Sequence, residues 1–247
     1  PMVAITSNVA NSLIGRDAFQ EVYITGITMP ITKHNFFVNK VEDLAHAVRE
    51  AFRIAATGRK GPVLVDVTKD VSAALCEFEP KEAEHQVKMP TASDEEIQKI
   101  ADMINQAERP AIYCGGGVPA SDAGHELQEL IHKADIPIAY TMMAVGIVGY
   151  NDTHSLGMIG MHGSVAANKA VDQADLVLAL GTRFSDRVAL NTEKFAQRAT
   201  KVQVDIDESE INKNVIVDMS VLSDVKYFLE KLLPLVEEKK RTAWLEQ

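Results

Sequence analysis

From Pro110 onward the sequence alternates short apolar runs with amphipathic stretches, and this alternation constrains the fold more than any other feature. The runs at 110–114, 137–141, 176–180, 201–206 and 215–219 read as strands, and 121–133, 164–173 and 221–238 read as helices. Connections this short between strands and helices imply an α/β fold: an open, mostly parallel sheet with helices on both faces. Ligands of such sheets sit beyond the carboxyl ends of the strands, so the loops that follow the strands are where function is sought.

The residues ahead of this pattern are arranged differently. Met2-Val3-Ala4-Ile5-Thr6 reads as a buried strand, 7–40 as irregular, and 41–56 as a helix with Leu44, Val48, Phe52 and Ala55 at spacings of three and four. Gly58 is placed to end that helix, and 62–67 reads as a strand buried on both faces. Too few strands are present for a full sheet, and Pro1 leads straight into one. Residues 1–79 are therefore expected to be the end of an incomplete α/β domain whose earlier part has been removed. Charge and proline without apolar period mark 80–93 as a linker. Ser93 with Glu96 forms a capping box that opens a helix to Ala107. A second domain then runs over 94–247, ending in a charged tail that includes Arg241.

The formal net charge is −10. That balance argues against a nucleic acid or an anionic membrane as partner, so an anionic ligand has to be held by local cations. No apolar run has the ~20 residues of a membrane-spanning helix. Cys76 and Cys114 are far apart and lack metal or redox spacing, which suits a reducing compartment such as the cytoplasm.

Three loops and two acids are candidates for chemistry. Gly115, Gly116 and Gly117 with Ala120 fit the loose pattern G-x-G-x-x-A between a strand and a helix. Glycines there admit a phosphate to backbone amides, with a helix starting near Ser121 adding its positive end; a tight turn needing positive φ uses the same residues. Arg183, Asp186 and Arg187 follow an apolar strand, either as a phosphate grip or as a self-paired surface loop. Gly157 to Gly163 places Met158, Met161 and His162 in a glycine-rich loop, where thioethers fit flat apolar ligands but as readily fill a core. Asp205 and Asp218 are each read as closing a strand, within reach of a ribose or hydroxyl, and Asp207 as a cap. No Ser-His-Asp context, metal-ligand spacing or Walker lysine loop appears. The residues alone point to a nucleotide-binding α/β domain.

Collinear strings carry a more specific resemblance. Asp17-Ala18-Phe19-Gln20-Glu21, Ile31-Thr32-Lys33-His34-Asn35, Gly58-Arg59 with Gly61-Pro62-Val63-Leu64-Val65-Asp66, Lys69-Asp70-Val71, Gly160-Met161-His162-Gly163, and Arg183-Phe184 with Asp186-Arg187-Val188 occur in the order found in acetolactate synthase large subunits. The chain resembles that family over nearly its whole length. The family implies a thiamine-pyrimidine domain (here in part, 1–79), a Rossmann-like FAD-binding middle domain (94–247), and a third domain for diphosphate and magnesium that this sequence does not include.

What the resemblance implies is an enzyme that decarboxylates pyruvate on thiamine diphosphate with Mg2+ and joins the product to a second 2-keto acid, pyruvate or 2-oxobutyrate, in branched-chain amino acid biosynthesis. Phe19, Gln20, Lys69, Met161 and Arg187 are the implied active-site residues. Implied FAD contacts are Arg59, Gly115, Gly116, Gly117, Thr141, Met142, Gly160, Met161, His162, Gly181, Arg183, Asp186, Arg187, Val188, Asp205, Ile206, Asp218 and Met219, with a flavin that undergoes no net redox change. No metal ligand is implied within these residues. Implied partners are small 2-keto acids, further copies in a homodimer or homotetramer, and a regulatory small subunit. The activating glutamate and the Gly-Asp-Gly magnesium motif lie outside the sequence, so the chain alone is expected to be inactive. A non-catalytic FAD or nucleotide-binding module and another FAD-containing thiamine enzyme, such as glyoxylate carboligase, are the alternatives.

Overall fold

A computed structural model describes residues 1–80 and 89–246. The chain divides into two compact units, Pro1–Lys88 and Met89–Gln247. Most of the expected linker at 80–93 lies outside the described residues.

In the first unit, β1 (Met2–Asn8), β2 (His34–Val38) and β3 (Pro62–Thr68) form a parallel sheet in the order β1-β3-β2. The central strand β3 is buried along nearly its whole length, as its continuous apolar run requires. Helix α1 (Val41–Ala56) lays Ala47, Ala51 and Ala55 against Val63, Val65 and Val67. Its last turn is closed by Lys33, whose Nζ donates to the carbonyls of Ile54 and Thr57 at 2.6 Å each. Strand β2 falls inside the segment read as irregular. Its residues alternate exposed, half-buried and buried without a consistent apolar face, so a period of two does not show in the sequence.

The second unit is one six-stranded, wholly parallel sheet. In chain order its elements are α2 (Asp94–Gln106), β4 (Pro110–Cys114), α3 (Gly124–Ala134), β5 (Ile138–Tyr140), β6 (Ser155–Met158), α4 (Val165–Gln173), β7 (Leu176–Leu180), β8 (Thr200–Asp205), β9 (Met219–Leu222) and α5 (Val225–Leu232). The spatial order is β6-β5-β4-β7-β8-β9. The chain therefore builds outward from β4 in one direction and then returns to build in the other, which makes β4 and β7 the pair at which the order reverses.

Alternate residues of each strand serve two cores. Ile112 and Cys114 pack with Ile138, Leu178 and Val204 under α2, α3 and α5, whereas Ala111 and Tyr113 pack with Val177 and Ala179 under α4 and the chain at 184–199. Helices thus cover both faces, with the second face finished by loop. Ser93 caps α2 as expected: its Oγ accepts the Glu96 amide at 3.3 Å and Glu96 Oε2 accepts the Ser93 amide at 2.8 Å.

Five readings of the second unit differ in the structure. Strand β6 was not expected; it is four half-buried residues including Gly157, too short and too mixed for a periodic signal. The last strand is Met219–Leu222 and not 215–219, because Val215 turns into the second core while Asp218 takes the Lys201 amide at 2.8 Å. Its helix begins at Val225, with Asp224 accepting the Tyr227 amide, and gives way to a 3-10 turn at Leu233–Leu235 that contains a proline. The helix expected from Ser121 starts at Gly124, after a four-residue turn at Gly117–Ala120 and a left-handed Asp122.

The fifth concerns Arg241, which is no tail residue. It is 7% exposed, and its guanidinium donates to the carbonyls of Ile104 (2.8 Å), Ala107 (3.1 Å) and Ala134, at the carboxyl ends of α2 and α3. Its amide donates to Asp135 Oδ2 at 2.5 Å, and nearby Trp244 Nε1 donates to the Pro110 carbonyl at 2.9 Å. Arg241→Ala strands these buried carbonyls, so urea unfolding is expected to show a loss of about 3 kcal/mol. A variant as stable as the parent would show that water replaces the guanidinium there.

Candidate functional site

At the carboxyl edge of the second sheet, the turns after β4 and β7 are locked together backbone to backbone. The Gly115 amide donates to the Leu180 carbonyl and the Gly117 amide to the Gly181 carbonyl, both at 2.9 Å. A Cβ on Gly115 would lie 2.2 Å from the Gly181 carbonyl oxygen, one on Gly117 2.5 Å from the Gly181 Cα, and one on Gly181 2.4 Å from the Gly117 Cα. Gly181 also has φ +57°. The glycines are therefore fixed by mutual contact and not only by access for a ligand. Gly116 is the member turned away, toward Met143. The helix dipole expected behind this turn is absent, since only the four-residue turn follows it. Burial pushes the neighbouring Cys114 thiol up to about 12, which makes it packing and not a nucleophile.

From Gly181 the chain carries the predicted arginine loop. Phe184 anchors it: the ring is 1% exposed and stands 5.5 Å from the rings of Tyr113 and Phe195, although its backbone has φ +48°. The anchor leaves Arg183, Asp186 and Arg187 exposed on either side. Arg187 Nε and Asp186 Oδ2 are 3.9 Å apart with both side chains mostly in water, so this pair contributes little and Arg187 is not committed to it.

A third turn, after β6, packs onto the same loop. The Met161 amide donates to the Arg187 carbonyl at 2.8 Å, and a Cβ on Gly160 would lie 2.4 Å from that carbonyl oxygen. Asn168 of α4 holds Gly160 from the other side, accepting its amide at 3.0 Å and donating to its carbonyl at 3.1 Å. Val188 is half-buried beside it, while Met161 and His162 point outward. Met158 is partly buried against the first core, the packing role weighed for it.

Two buried polar groups stand on this edge. Thr141, directly after β5, has a buried hydroxyl with no hydrogen-bond partner. Asp205 ends β8 at 8% exposure, and burial pushes its carboxyl up although Oδ1 accepts the Asp207 amide at 3.0 Å. Ile206 follows, and Asp207 caps the next turn through Ser209, as the cap reading expects. Met142 and Met143 are more than 70% exposed between the Thr141 and Gly116 positions. The edge formed by β5, β4, β7 and β8 is thus about 14 Å long at ~4.8 Å per strand.

The structure does not bring every predicted residue there. Asp218 precedes β9 and pairs with Lys201 near the start of β8, with Met219 level with Val202, so both lie toward the amino edge. The Lys201 amide holds the Asp218 carboxyl below its usual range, with the Lys201 ammonium adding to it. The residues at the carboxyl end of β9 are Ser223 and Asp224, which sequence reasoning passed over; Asp224 as an N-cap was the readable signal. In the first unit, Lys69 follows the carboxyl end of β3 and Arg59 precedes its amino end, about 20 Å apart along a seven-residue strand. Phe19, 90% exposed, and Gln20, with φ +64°, occupy a turn that Glu21 closes by accepting the Ala18 amide at 2.9 Å.

A wholly parallel sheet covered on both faces, whose strand order reverses at interlocked glycine turns, defines a Rossmann-like α/β domain. Residues 97–232 match the thiamine pyrophosphate enzyme central domain, and the chain belongs to that family. It is 43% identical over 245 residues to the acetolactate synthase isozyme 1 large subunit of Escherichia coli, covering 99% of this chain and 43% of that protein. A probable acetolactate synthase large subunit of Methanocaldococcus jannaschii is 41% identical over 256 residues (100% and 43%), and a probable chloroplastic acetolactate synthase 2 of Oryza sativa subsp. japonica 44% over 250 (98% and 37%). The chain spans less than half the length of these curated relatives. No helix among the described residues is long and apolar enough to cross a membrane.

The interlock predicts a sharp mutational contrast. Gly181→Ala adds a methyl against the Gly117 backbone at a positive φ and is expected to cost at least about 2 kcal/mol. Gly149→Ala, with nothing within 4 Å, is expected to be nearly neutral by the same chemical denaturation. Equal stabilities would mean that the two turns are not held in contact.

Proposed function

We propose that the second unit binds FAD along the β5-β4-β7-β8 edge, and that the protein is a thiamine-diphosphate-dependent acetolactate synthase. The observation that carries the flavin reading is the pairing of two buried polar groups, the unpartnered Thr141 hydroxyl and the desolvated Asp205 carboxyl, with exposed cations on one carboxyl edge. Asp205, a buried acceptor, suits a ribose hydroxyl; the unpartnered Thr141 hydroxyl suits a phosphate or ring acceptor. The exposed thioethers of Met142, Met143 and Met161 suit a flat apolar ring, and Arg183 a diphosphate. An edge of ~14 Å fits an extended dinucleotide better than a small ion. The identity to acetolactate synthases over nearly the whole chain supports the enzymatic reading.

Thiamine diphosphate, held with Mg2+, supplies the carbanion chemistry that decarboxylates pyruvate and transfers the two-carbon unit to a second 2-keto acid. The chain's own residues bind and orient. Arg187 offers both oxygens of the acceptor's carboxylate a planar fork, and the Gly160–Arg187 contact fixes where that fork starts. Met161 covers the same point with an apolar surface that excludes water. Phe19, Gln20 and Lys69 are the active-site residues proposed within the first unit. The flavin shapes this surface without redox work. Free Cys76 and Cys114 agree with a cytoplasmic setting, and assembly with further copies or a regulatory subunit belongs to the same proposal.

Charge-assisted hydrogen bonds are worth about 1.5–3 kcal/mol, so Arg183→Ala should weaken FAD binding by roughly one to two orders of magnitude in fluorescence titration. Lys99→Ala on the exposed side of α2 should leave it unchanged. Equal FAD affinity for parent and Arg183→Ala, or no binding by folded protein, removes the flavin assignment. The Gly-Asp-Gly motif occurs nowhere in the 247 residues, and the chain alone with pyruvate, thiamine diphosphate and Mg2+ is expected to form no acetolactate. Turnover in that assay would contradict the division of the active site proposed here.

A further inference from the structure

The amino edge of the second sheet, opposite the glycine turns, holds a cluster of imidazoles and carboxylates that the proposed chemistry does not use. His132 lies in the last turn of α3, Asp135 follows that helix in the left-handed conformation, and Asp152 and His154 precede β6. His132, Asp152 and His154 each offer one ligand atom, and these atoms lie within 4.8 Å of one another. His132 Nε2 is 2.8 Å from Asp152 Oδ2, and His154 Nδ1 is 3.0 Å from Asp152 Oδ1.

The second layer is also in place. His154 Nε2 lies 3.0 Å from Asp135 Oδ1, whose other oxygen accepts the Arg241 amide at 2.5 Å. A carboxylate on the far nitrogen of a ligating imidazole fixes its tautomer and ring orientation, here leaving Nδ1 to face the cluster. The Asp152–His154 spacing is locked by the His154 amide, which donates to Asp152 Oδ1 at 2.9 Å, and by the His154 carbonyl, which accepts the Ile138 amide of β5 at 2.8 Å. His154 is buried with a side chain 9% exposed, Asp152 is 16% exposed, and His132 at 52% leaves the cluster open to water on one side.

We propose that His132 Nε2, Asp152 and His154 Nδ1 bind a divalent transition-metal ion of the zinc class, with Asp135 as the group that orients His154 and water as the remaining ligand. Two imidazoles and one carboxylate select zinc, cobalt or nickel over magnesium, which prefers oxygen. The ion enters between atoms now in hydrogen-bond contact. Each ligand imidazole binds the ion in its neutral form, His132 carrying its hydrogen on Nδ1 and His154 on Nε2 toward Asp135, with any proton on His132 Nε2 or His154 Nδ1 exchanged through solvent. The bound ion joins the end of α3 to the chain entering β6, an edge strand whose pairing with β5 is interrupted by a register shift at Ile138/Ala139. Its role is that of a clamp on this edge, distant from the strand ends where the flavin is placed.

Chelator-treated full chain should be titrated with Co2+, read by its visible ligand-field bands, and then with Zn2+ in competition. One equivalent should bind, Zn2+ should displace Co2+, Mg2+ should not, and Zn2+ should raise the melting temperature. His132→Ala, at an exposed position and checked for folding by circular dichroism, should lose at least tenfold in affinity. Asp135→Asn leaves all three ligands intact and should lose ~10–100-fold, a loss that a chance surface site would not show. His125→Ala, two turns earlier on the same face of α3, should bind as the parent does. No cobalt bands with folded protein, or unchanged affinity in His132→Ala, would leave a purely hydrogen-bonded network and overturn the proposal.

Discussion

The contact between Gly117 and Gly181 governs how the second unit can be used. Their backbones approach so closely that neither position admits a side-chain carbon, and the Gly117 amide is committed to the Gly181 carbonyl. Since β4 and β7 are the strands at which the sheet order reverses, any gap between their turns would open the crevice into the core. The lock closes that crevice below and presents the next residues, Gly116 and Arg183, at its rim. The cost is that Gly115 and Gly117 spend their amides on the fold. Recognition of a ligand then falls to side chains and to neighbouring turns, which is a different division of labour from a glycine loop that wraps a phosphate with its own backbone.

The two edges of the sheet are finished in opposite ways. At the amino edge, polar groups pair densely: Asp218 with the Lys201 amide and ammonium, Asp175 with the Glu108 and Arg109 amides, and Arg241 with three carbonyls from two helices. At the carboxyl edge, Thr141 has no partner, Asp205 is held above its ordinary range by burial, and Phe184 keeps an unfavourable backbone conformation to seat its ring. A domain that satisfies one edge and leaves the other short of partners concentrates its unmet hydrogen-bonding where a ligand can meet it. Asp218, read in the sequence as a ligand contact, belongs to the satisfied edge for this reason.

Legibility in the sequence followed the strength of local periodicity. Strands β4 and β7 and helix α1 have the ends read for them, because each is uniformly apolar or strictly amphipathic and ends at Gly, Pro or a polar cap. β6 and β2 were missed because edge strands with half-buried residues carry no clean alternation; only pairing with β5 and β3 identifies them. The last strand was misplaced by three or four residues since Val215-Ile216-Val217 and Met219-Ser220-Val221-Leu222 are both apolar, and the choice between them is made by Asp218 reaching Lys201 across the sheet. Arg241 was unreadable for a related reason: among Lys239 and Lys240 it looks like solvent-exposed charge, and only the folded arrangement places it against carbonyls more than a hundred residues away. The site was legible as three glycine-rich turns but not as one interlocked surface, because Gly160 meeting Arg187 and Gly117 meeting Gly181 are contacts without any local sequence trace.

The net charge of −10 makes the exposed arginines more consequential than their number suggests. Surface ion pairs are worth little in water, and the Asp186–Arg187 contact at 3.9 Å does not neutralise the guanidinium. An anionic ligand approaching an acidic protein meets repulsion everywhere except where cations stand clear of their own counter-charges. The buried Phe184 ring achieves that clearance: it pins the middle of the loop so that Arg183 and Arg187, one residue before it and three after, project into solvent at the carboxyl edge. A larger or unanchored loop would let the same arginines fold back onto Asp186 or the acidic surface. The buried aromatic, whose packing offsets its own backbone strain, is therefore what holds the two arginines clear and suits this charge cluster to the anion proposed for it.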